Sequence, residues 1–525
     1  MASGRRTLNR PRHRGATAGY AALAAVTGVT IAAFAGLAGF AGQGPEWSLL
    51  TDPYLLAVLA FSLKQAGISA AVSVALAWPV ARALYYHPAL PARGAFLALC
   101  LLCFVMPSLV LVTGLVALLG HSGWLSPWLG EHWNLYGLNG IVIAHVYLNL
   151  PFATRILHQQ LEGTPPRAWR LARQLGLGPW QRLRVVEWPA LRPALLPLTG
   201  FIAVLCFNSF SVVLALGGGP RATTLEVALY QALKYDFNVP EALTLAWIQL
   251  VIAGSAFLAL TRLGELRLLS RAGGDTPRPQ PKRAMRTLHA LVYAGTCTVL
   301  LAPPLAIALR IRPDTLMRTD WSSLLIPTGY TLGLGLAAAT AGMALAYLVV
   351  LPVRGAASPR ARTLLDWLAS HTLIAPAMVL SVGVYVLLIR RVSMDLWGLP
   401  LLAGLNALVV LPYAVQRLRP RLLQYDREYR HLVRSLDLDR ITACRVQWPY
   451  IRPVVRATFA LVLVLAMGDV AVFAIFGQPE WTTLPWLIYR YASTYRLDSA
   501  ALASLLLLAL CALAVALLER GSSRA

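Results

Sequence analysis

The chain has 525 residues, and its 46 Lys and Arg against 22 Asp and Glu give a formal net charge of +24. Only 13% of the residues are charged and 58% are hydrophobic, whereas ordinary globular domains are roughly 25% charged and 45–50% apolar. This hydrophobicity excludes a disordered chain and argues against a soluble enzyme or a basic nucleic-acid-binding protein. The composition predicts a polytopic membrane protein whose positive charge lies mostly on one side of the bilayer.

Twelve apolar runs are long enough for membrane-spanning helices, which need about 20 residues each. They lie near 16–41, 55–81, 94–119, 138–157, 195–216, 240–261, 287–309, 324–351, 364–389, 398–416, 457–476 and 499–518. With the N-terminus inside, 36 of the 46 basic residues fall on cytoplasmic loops and tails. The positive-inside rule therefore predicts twelve spans with both termini in the cytoplasm.

The second half of the sequence repeats the first. Three matched stretches are Met106-Pro107 with Ala375-Pro376, Pro151-Phe152-Ala153 with Pro412-Tyr413-Ala414, and Glu187-Trp188-Pro189 with Gln447-Trp448-Pro449, at offsets of 269, 261 and 260 residues. Because six helices per copy is an even number, both copies enter the membrane from the same side, and a path is expected between them. We therefore expect an all-α membrane protein with a first six-helix half (1–272), a cytoplasmic linker (273–283) and a second half (284–525).

Two long cytoplasmic loops, after the fourth and the tenth helix, share one construction. In the first loop, the spacing of Leu171, Ala172 and Leu175 predicts a common helical face, and Gly176 is placed to end the helix. The second loop repeats this pattern with Leu432, Val433 and Leu436, followed by Asp437 where glycine is expected. The pattern predicts a helix–turn–helix that projects from the membrane and can bind in a groove of a partner. The alternative is attachment to anionic lipid, at about 1 kcal/mol per Arg.

These loops resemble the EAA motif of the permease subunits of bacterial ABC importers, whose coupling helix docks in a cleft of the ATPase subunit. Arg170 stands at the Glu position of the motif, and Ala172, Gly176 and Trp188-Pro189 match it. In the second copy His431, Val433 and Asp437 depart from the motif, and Trp448-Pro449 is kept. The resemblance implies contacts with two ATPase subunits through Arg170, Ala172, Arg173, Leu175, Gly176, His431, Val433, Arg434, Leu436 and Asp437.

Other stretches resemble the permease of importers for thiamine and thiamine pyrophosphate. They are Tyr136–His145, Leu216-Gly-Gly-Gly-Pro220, Ala222-Thr-Thr-Leu-Glu226, Tyr230–Asp236, Met467-Gly-Asp469 and Thr483-Leu-Pro485. The resemblance implies a permease of the bacterial cytoplasmic (inner) membrane that imports thiamine and its phosphates, uses no cofactor and receives its substrate from a periplasmic binding protein. A ferric iron importer is the alternative among fused permeases of this kind.

ATP hydrolysis is not expected on this chain. A phosphate-binding loop of the form G-x-x-x-x-G-K-[ST] needs a lysine directly after a glycine. The three lysines, Lys64, Lys234 and Lys282, all follow other residues, so the ATPase must be a separate subunit. An ion-coupled secondary transporter is a further alternative, although such proteins usually place more charges inside the membrane. We expect neither a metal site nor a contact with nucleic acid.

Polar residues at equivalent depths in the two halves mark a candidate translocation path. Asp469 lies about twelve residues into the eleventh helix, and its repeat counterpart is Ser209, beside Asn208. Hydrogen bonds between helices, at about 0.6–2 kcal/mol, explain these residues equally well. Tyr230, Tyr235 and Tyr489 are expected near the outer mouth, where they either attract a thiazolium ring or form part of an aromatic belt.

Overall fold

The computed structural model describes residues 16–42, 45–263, 283–356, 358–373, 375–436, 438–478 and 480–519. Within these ranges the chain is helical and contains no strand, apart from an isolated bridge between Gln478 and Trp481. The helices of the first half are α1 (Ala16–Ala41), α2 (Pro53–Tyr86), α3 (Arg93–Val105), α4 (Ser108–Leu119), α5 (Ser126–Leu129), α6 (Leu138–Glu162), α7 (Pro166–Gln174), α8 (Pro179–Arg182), α9 (Trp188–Phe207), α10 (Ser211–Leu216), α11 (Leu225–Lys234) and α12 (Val239–Leu263). Those of the second half are α13 (Arg283–Arg310), α14 (Pro313–Arg318), α15 (Ser322–Gly355), α16 (Pro359–Ser370), α17 (Ala377–Leu388), α18 (Met394–Ser435), α19 (Arg440–Met467), α20 (Ala471–Phe476), α21 (Leu484–Ser493) and α22 (Leu497–Glu519).

The structure has between ten and twelve candidate membrane crossings. Among the described residues, ten helices are long and apolar enough to cross a membrane, and the number equals the predicted twelve if each of two bent helix pairs is one crossing. The prediction of continuous helices over 94–119 and 364–389 is wrong, because the first pair is bent by 104° and the second by 81°. The first bend falls at Met106-Pro107, where proline forces an extended backbone on the residue before it and provides no N–H to the helix.

The repeat is confirmed at the level of single hydrogen bonds. Helices α2 and α15 both have 34 residues, and α11 and α21 both have 10. The Ser62 hydroxyl of α2 accepts a hydrogen bond from the backbone N–H of Leu225, at the start of α11, at 3.0 Å. At the matching place the Thr331 hydroxyl of α15 accepts from the N–H of Leu484 at 2.8 Å. A hydroxyl at the equivalent position therefore binds the first turn of the equivalent short helix in each half.

The first helix of each half packs against the other half. Helix α1 lies on α15 and α17, and α13 lies on α2 and α4. Two glycines at equivalent places permit this close approach: Gly114 of α4 faces Pro303 of α13, and Gly383 of α17 faces Ala33 of α1. The two six-helix halves are therefore interlocked. The predicted linker 273–283 lies outside the described residues except for Arg283, which begins α13.

We expect the substitution Gly383→Ala to destabilise this exchange of helices. The added methyl group would overlap the Ala33 carbonyl, and overpacking of this kind costs about 1–3 kcal/mol. The matched control is Gly404→Ala in α18, where an added methyl group meets open space. Thermal unfolding of the purified protein should show a lower midpoint for Gly383→Ala only, and equal midpoints would contradict the packing described here.

Candidate functional site

Helix α7 is a separate short helix between two membrane-crossing elements. It begins after Thr164-Pro165, and its C-terminus is closed by Gly176, which adopts a left-handed φ of +64°. The Gly176 N–H bonds to the Arg173 carbonyl and the Leu177 N–H to the Ala172 carbonyl, both at 3.0 Å. These two bonds form a Schellman motif, in which glycine is favoured because it has no side chain to clash. The predicted glycine cap is confirmed.

The two faces of α7 differ in exposure. Trp169 and Ala172 are buried, whereas Leu171 and Leu175 have 56% and 64% of their surface exposed. Arg170 and Arg173 are also exposed, as is Gly176. The expectation that Ala172 shares a face with the two leucines is wrong, because successive helical residues point about 100° apart and Ala172 points inward. The free face of α7 is thus apolar at Leu171 and Leu175 and basic beside them.

The buried face of α7 is held against the end of α2. The Trp169 ring stacks on Tyr85 at 5.8 Å between centroids and meets Tyr86 edge-on at 6.1 Å. Just before α9, the buried Glu187 accepts hydrogen bonds from Arg82 Nε at 2.7 Å and from the Tyr86 hydroxyl at 2.6 Å. A buried carboxylate is tolerated because it is paired and fully hydrogen-bonded. The aromatic contacts fix α7 to α2, and the contacts of Glu187 fix the segment that leads from α7 into α9 to the same helix.

The second copy of the loop is built differently. Helix α18 continues to Ser435 without a break, so the expected separate helix is absent from this part of the described chain. The reason is local sequence: Gly163-Thr-Pro-Pro166 interrupts the first copy, but Gln424–Arg427 at the matching positions contains neither glycine nor proline. The end of α18 is fixed to α15 by the ion pair of Arg354 with Asp426, at 2.6 and 2.8 Å.

The second copy nevertheless exposes leucines at the positions equivalent to Leu171 and Leu175. Leu432 and Leu436 have 52% and 59% of their surface exposed, and each lies 261 residues after its counterpart in α7. His431 is exposed and Val433 is half-buried. Arg434 lies in α18, and Asp437 lies outside the described residues. Both leucine pairs lie at the end of the bundle that also holds the C-termini of α2 and α15, which we call the basic end.

Interruptions in the helices of the two halves contact each other in two pairs. Asn208 lies in the break between α9 and α10, and its amide donates to the Leu373 carbonyl, beside the bend of the second half, at 3.2 Å. Gly468 lies in the matching break between α19 and α20 and packs against Pro107 at the bend of the first half. The sequence placed Asn208 and Ser209 inside one long run (195–216), which the structure instead interrupts. Each half therefore puts a break against a bend of the other.

Asp469 follows Gly468, at the position equivalent to Ser209. Its Oδ2 accepts a hydrogen bond from the Val472 N–H at 3.1 Å. The half-buried carboxylate thus caps the first turn of α20, which is a local role that the sequence did not indicate.

The three predicted tyrosines lie together at the opposite end of the bundle. Tyr230 is buried and Tyr489 is half-buried, while Tyr235 is largely exposed. The rings of Tyr230 and Tyr235 meet edge-on at 5.7 Å. Burial, the interaction with the Tyr235 phenol and the nearby Tyr489 phenol together raise the pKa of Tyr230. Because Tyr230 and Tyr489 are repeat counterparts on α11 and α21, this cluster joins the two halves.

A buried carboxyl in α11 is a feature that the sequence reasoning missed. Glu226 hydrogen-bonds to Gln249, and burial raises its pKa to about 8. The Gln249 Nε2 amide in turn donates to the side-chain Oδ1 of Asn208 at 3.1 Å. A chain of side chains therefore runs from α11 to the break between α9 and α10. Glu226 is the acidic residue of the stretch Ala222–Glu226, and this feature of the sequence could have identified it.

Two aromatic residues mark the surface at this opposite end. Phe237 and Tyr495 follow α11 and α21, lie 258 residues apart, and have 79% and 89% of their surface exposed. Both adopt a left-handed backbone, with φ of +53° and +58°. This conformation is unfavourable for bulky residues and is often retained at functional surfaces.

A cavity of about 350 Å³ lies between the halves, toward the basic end. Helices α3, α6 and α9 form one wall, and α18 and α19 form the other. It is lined by aromatic, amide and arginine side chains that the sequence reasoning did not select, including Phe152, Arg155, Gln159, Tyr413, Gln416 and Arg417. The repeat could have identified these residues from the sequence, because Phe152 and Arg155 match Tyr413 and Gln416 at the 261-residue offset.

Comparison with known proteins gives consistent matches. Residues 73–265 match the family described as binding-protein-dependent transport system inner membrane component. The thiamine transport system permease protein ThiP of Haemophilus influenzae is 34% identical over 492 residues, which cover 89% of this chain and 89% of that protein. ThiP of Escherichia coli is also 34% identical, over 496 residues with the same coverage. The putative ferric transport system permease protein FbpB 1 of Haemophilus influenzae is 27% identical over 218 residues, or 40% of this chain and 34% of that protein.

Proposed function

Because the chain belongs to the family of thiamine transport system permease proteins, we propose that it is the membrane permease of an ATP-driven importer of thiamine and its phosphates. The basic end faces the cytoplasm, where the excess of Arg and Lys belongs, and both termini lie on that side. ATP is hydrolysed by two copies of a separate ATPase subunit. The ferric iron alternative is weaker, because the ferric relative aligns with only 40% of this chain.

The observation that carries the coupling role is the matched pair of exposed leucines. Leu171 and Leu175 in the first half, and Leu432 and Leu436 in the second, point away from the bundle at the same end. Leucines four residues apart form an anchor of the kind that a helix inserts into an apolar groove. One ATPase copy binds each pair.

Coupling to transport requires that the ATPase contacts differ between two states of the permease. Because α7 is fixed to α2, and the end of α18 to α15, a displacement of either leucine pair is transmitted to the membrane-crossing helices. The helix interruptions at the contact between the halves provide places where these helices can change direction. We propose that the path alternates between outward-open and inward-open forms there, with Asn208, Ser209 and Asp469 beside it.

The opposite end receives the substrate from a periplasmic binding protein. Each half presents one exposed aromatic residue there, Phe237 or Tyr495, and exposed aromatic rings are frequent anchors of protein contacts. The cluster of Tyr230, Tyr235 and Tyr489 lies at the mouth of the path on this side.

Growth of a bacterial strain that lacks its own thiamine permease and thiamine synthesis tests the proposed substrate. We expect this chain, expressed with its partner subunits, to restore growth at low thiamine concentrations and to support uptake of labelled thiamine. An equivalent strain that lacks ferric iron uptake should not be rescued. Rescue of the iron strain in place of the thiamine strain would overturn the proposal.

A further inference from the structure

The cavity between the halves has the composition of a binding site for a small aromatic molecule. Its volume of about 350 Å³ falls within the usual range for ligand pockets, about 300–1,000 Å³. It is enclosed by both halves of the molecule, whereas a lipid site would lie on the outer surface. A path between two parallel repeats is also where a transported molecule is expected to bind.

One wall of the cavity is a stack of aromatic rings. Phe104 and Phe152 are stacked, with centroids 4.6 Å apart and planes inclined by 18°. Phe201 follows at 5.8 Å from Phe152, and Tyr413 lines the cavity from the second half. A planar aromatic ring of a bound molecule can stack on this wall, and such ring pairs stabilise binding beyond the effect of the buried area alone.

The polar groups of the cavity favour an anion. Arg155 and Arg417 line it together with Gln159 and Gln416, and no acidic residue is among the described residues of its lining. A guanidinium binds phosphate through paired hydrogen bonds, which are about twice as strong as neutral ones. The Gln159 Oε1 atom is buried and makes no hydrogen bond within the described part of the chain.

We propose that this cavity is a substrate-binding site of the permease itself, which stacks an aromatic ring on Phe152 and binds an attached phosphate group through Arg155. The proposal rests on the proposed function and adds that the site prefers thiamine diphosphate to thiamine. Thiamine carries one positive charge, which the Arg155 guanidinium repels. Its diphosphate carries compensating negative charge and binds more tightly.

Binding of labelled thiamine and thiamine diphosphate to the purified permease, in lipid nanodiscs without the binding protein, tests this site. We expect tighter binding of the diphosphate to the unmodified protein. Arg155→Gln should weaken diphosphate binding about tenfold or more, as loss of charge-assisted hydrogen bonds does, and should leave thiamine binding within about threefold. Arg155→Lys should keep part of the preference. Arg192→Gln, at an exposed arginine of α9 outside the cavity lining, makes the same chemical change and should alter neither.

Phe152→Leu separates recognition of the ring from recognition of the phosphate. We expect Phe152→Leu to weaken the binding of thiamine and of thiamine diphosphate to the same extent, because both molecules carry the same rings. The binding site is wrong if Arg155→Gln weakens both ligands equally, or if the unmodified protein shows no preference for the diphosphate. If these results accompany normal thiamine uptake in cells, the proposed function stands and only the binding site is overturned. If cells take up neither ligand, the proposed function fails as well.

Discussion

Replacing Leu171 and Leu432 together with glutamate is expected to abolish ATP-driven uptake and co-purification of the ATPase. Each change places a charge in a contact that we propose to be apolar and dry, and loss of one central anchor typically costs 2 kcal/mol or more, about a thirtyfold loss of affinity. Either single variant should keep partial uptake, because the other half still binds its ATPase copy. The measurement is uptake of labelled thiamine together with the amount of ATPase recovered with the permease.

The matched control for these variants is Gln181→Glu in α8. Gln181 is exposed, and its Oε1 accepts a hydrogen bond from the Gly178 N–H at 2.9 Å, which a glutamate carboxylate can also accept. The control therefore adds the same charge in the same segment without removing an exposed leucine. Normal uptake and normal ATPase recovery in the double leucine variant would show that these leucines do not bind the ATPase.

Removing the buried carboxylate of Glu187 is expected to detach α7 from the bundle. The variant Glu187→Ala leaves Arg82 and the Tyr86 hydroxyl without their partner, and breaking a buried ion pair in this way costs about 3–5 kcal/mol. We expect faster trypsin cleavage after the exposed Arg170 and Arg173, a lower thermal midpoint and loss of uptake, while the protein still inserts into the membrane.

Two further variants test whether the ion pair itself is responsible. Replacing both partners, in Arg82→Met with Glu187→Met, removes the unpaired charge, and such replacements are often neutral for stability. The double variant should therefore recover most of the thermal midpoint. Glu131→Ala, at an exposed glutamate of the opposite end, should change nothing. If Glu187→Ala behaves like Glu131→Ala, the ion pair does not hold α7.

The sequence predicted the membrane crossings well because length and hydrophobicity alone identify them. The bends at Met106-Pro107 and before Ala377 were not predicted, although Pro107 and Pro376 are visible in the sequence, because a proline does not always end a helix: Pro151 lies inside the continuous α6. The exchange of α1 and α13 between the halves was not visible in the sequence, since it depends on contacts such as that of Gly383 with Ala33. The repeat identified Gly114 and Gly383 as matched positions, but it did not show that each of them contacts a helix of the other half.

The coupling segments were found from the sequence because their leucines and arginines recur in both halves. The predicted orientation of Ala172 was wrong, since three residues within one and a half helical turns do not define a face until the buried side of the helix is known. Trp169 supplies that information, but only its contact with Tyr85 identifies it as the anchor. The cavity was missed because its walls come from helices about 260 residues apart in the chain, and only the folded structure shows which of their side chains face each other.

Uptake by proteoliposomes that contain the permease and its ATPase tests the central claim most directly. With ATP enclosed in the vesicles and the binding protein with labelled thiamine outside, we predict accumulation of thiamine that requires ATP and both partners. The same vesicles with the Leu171→Glu and Leu432→Glu variant should accumulate none. Accumulation driven by an ion gradient without ATP, or undiminished accumulation by the double variant, would contradict the account.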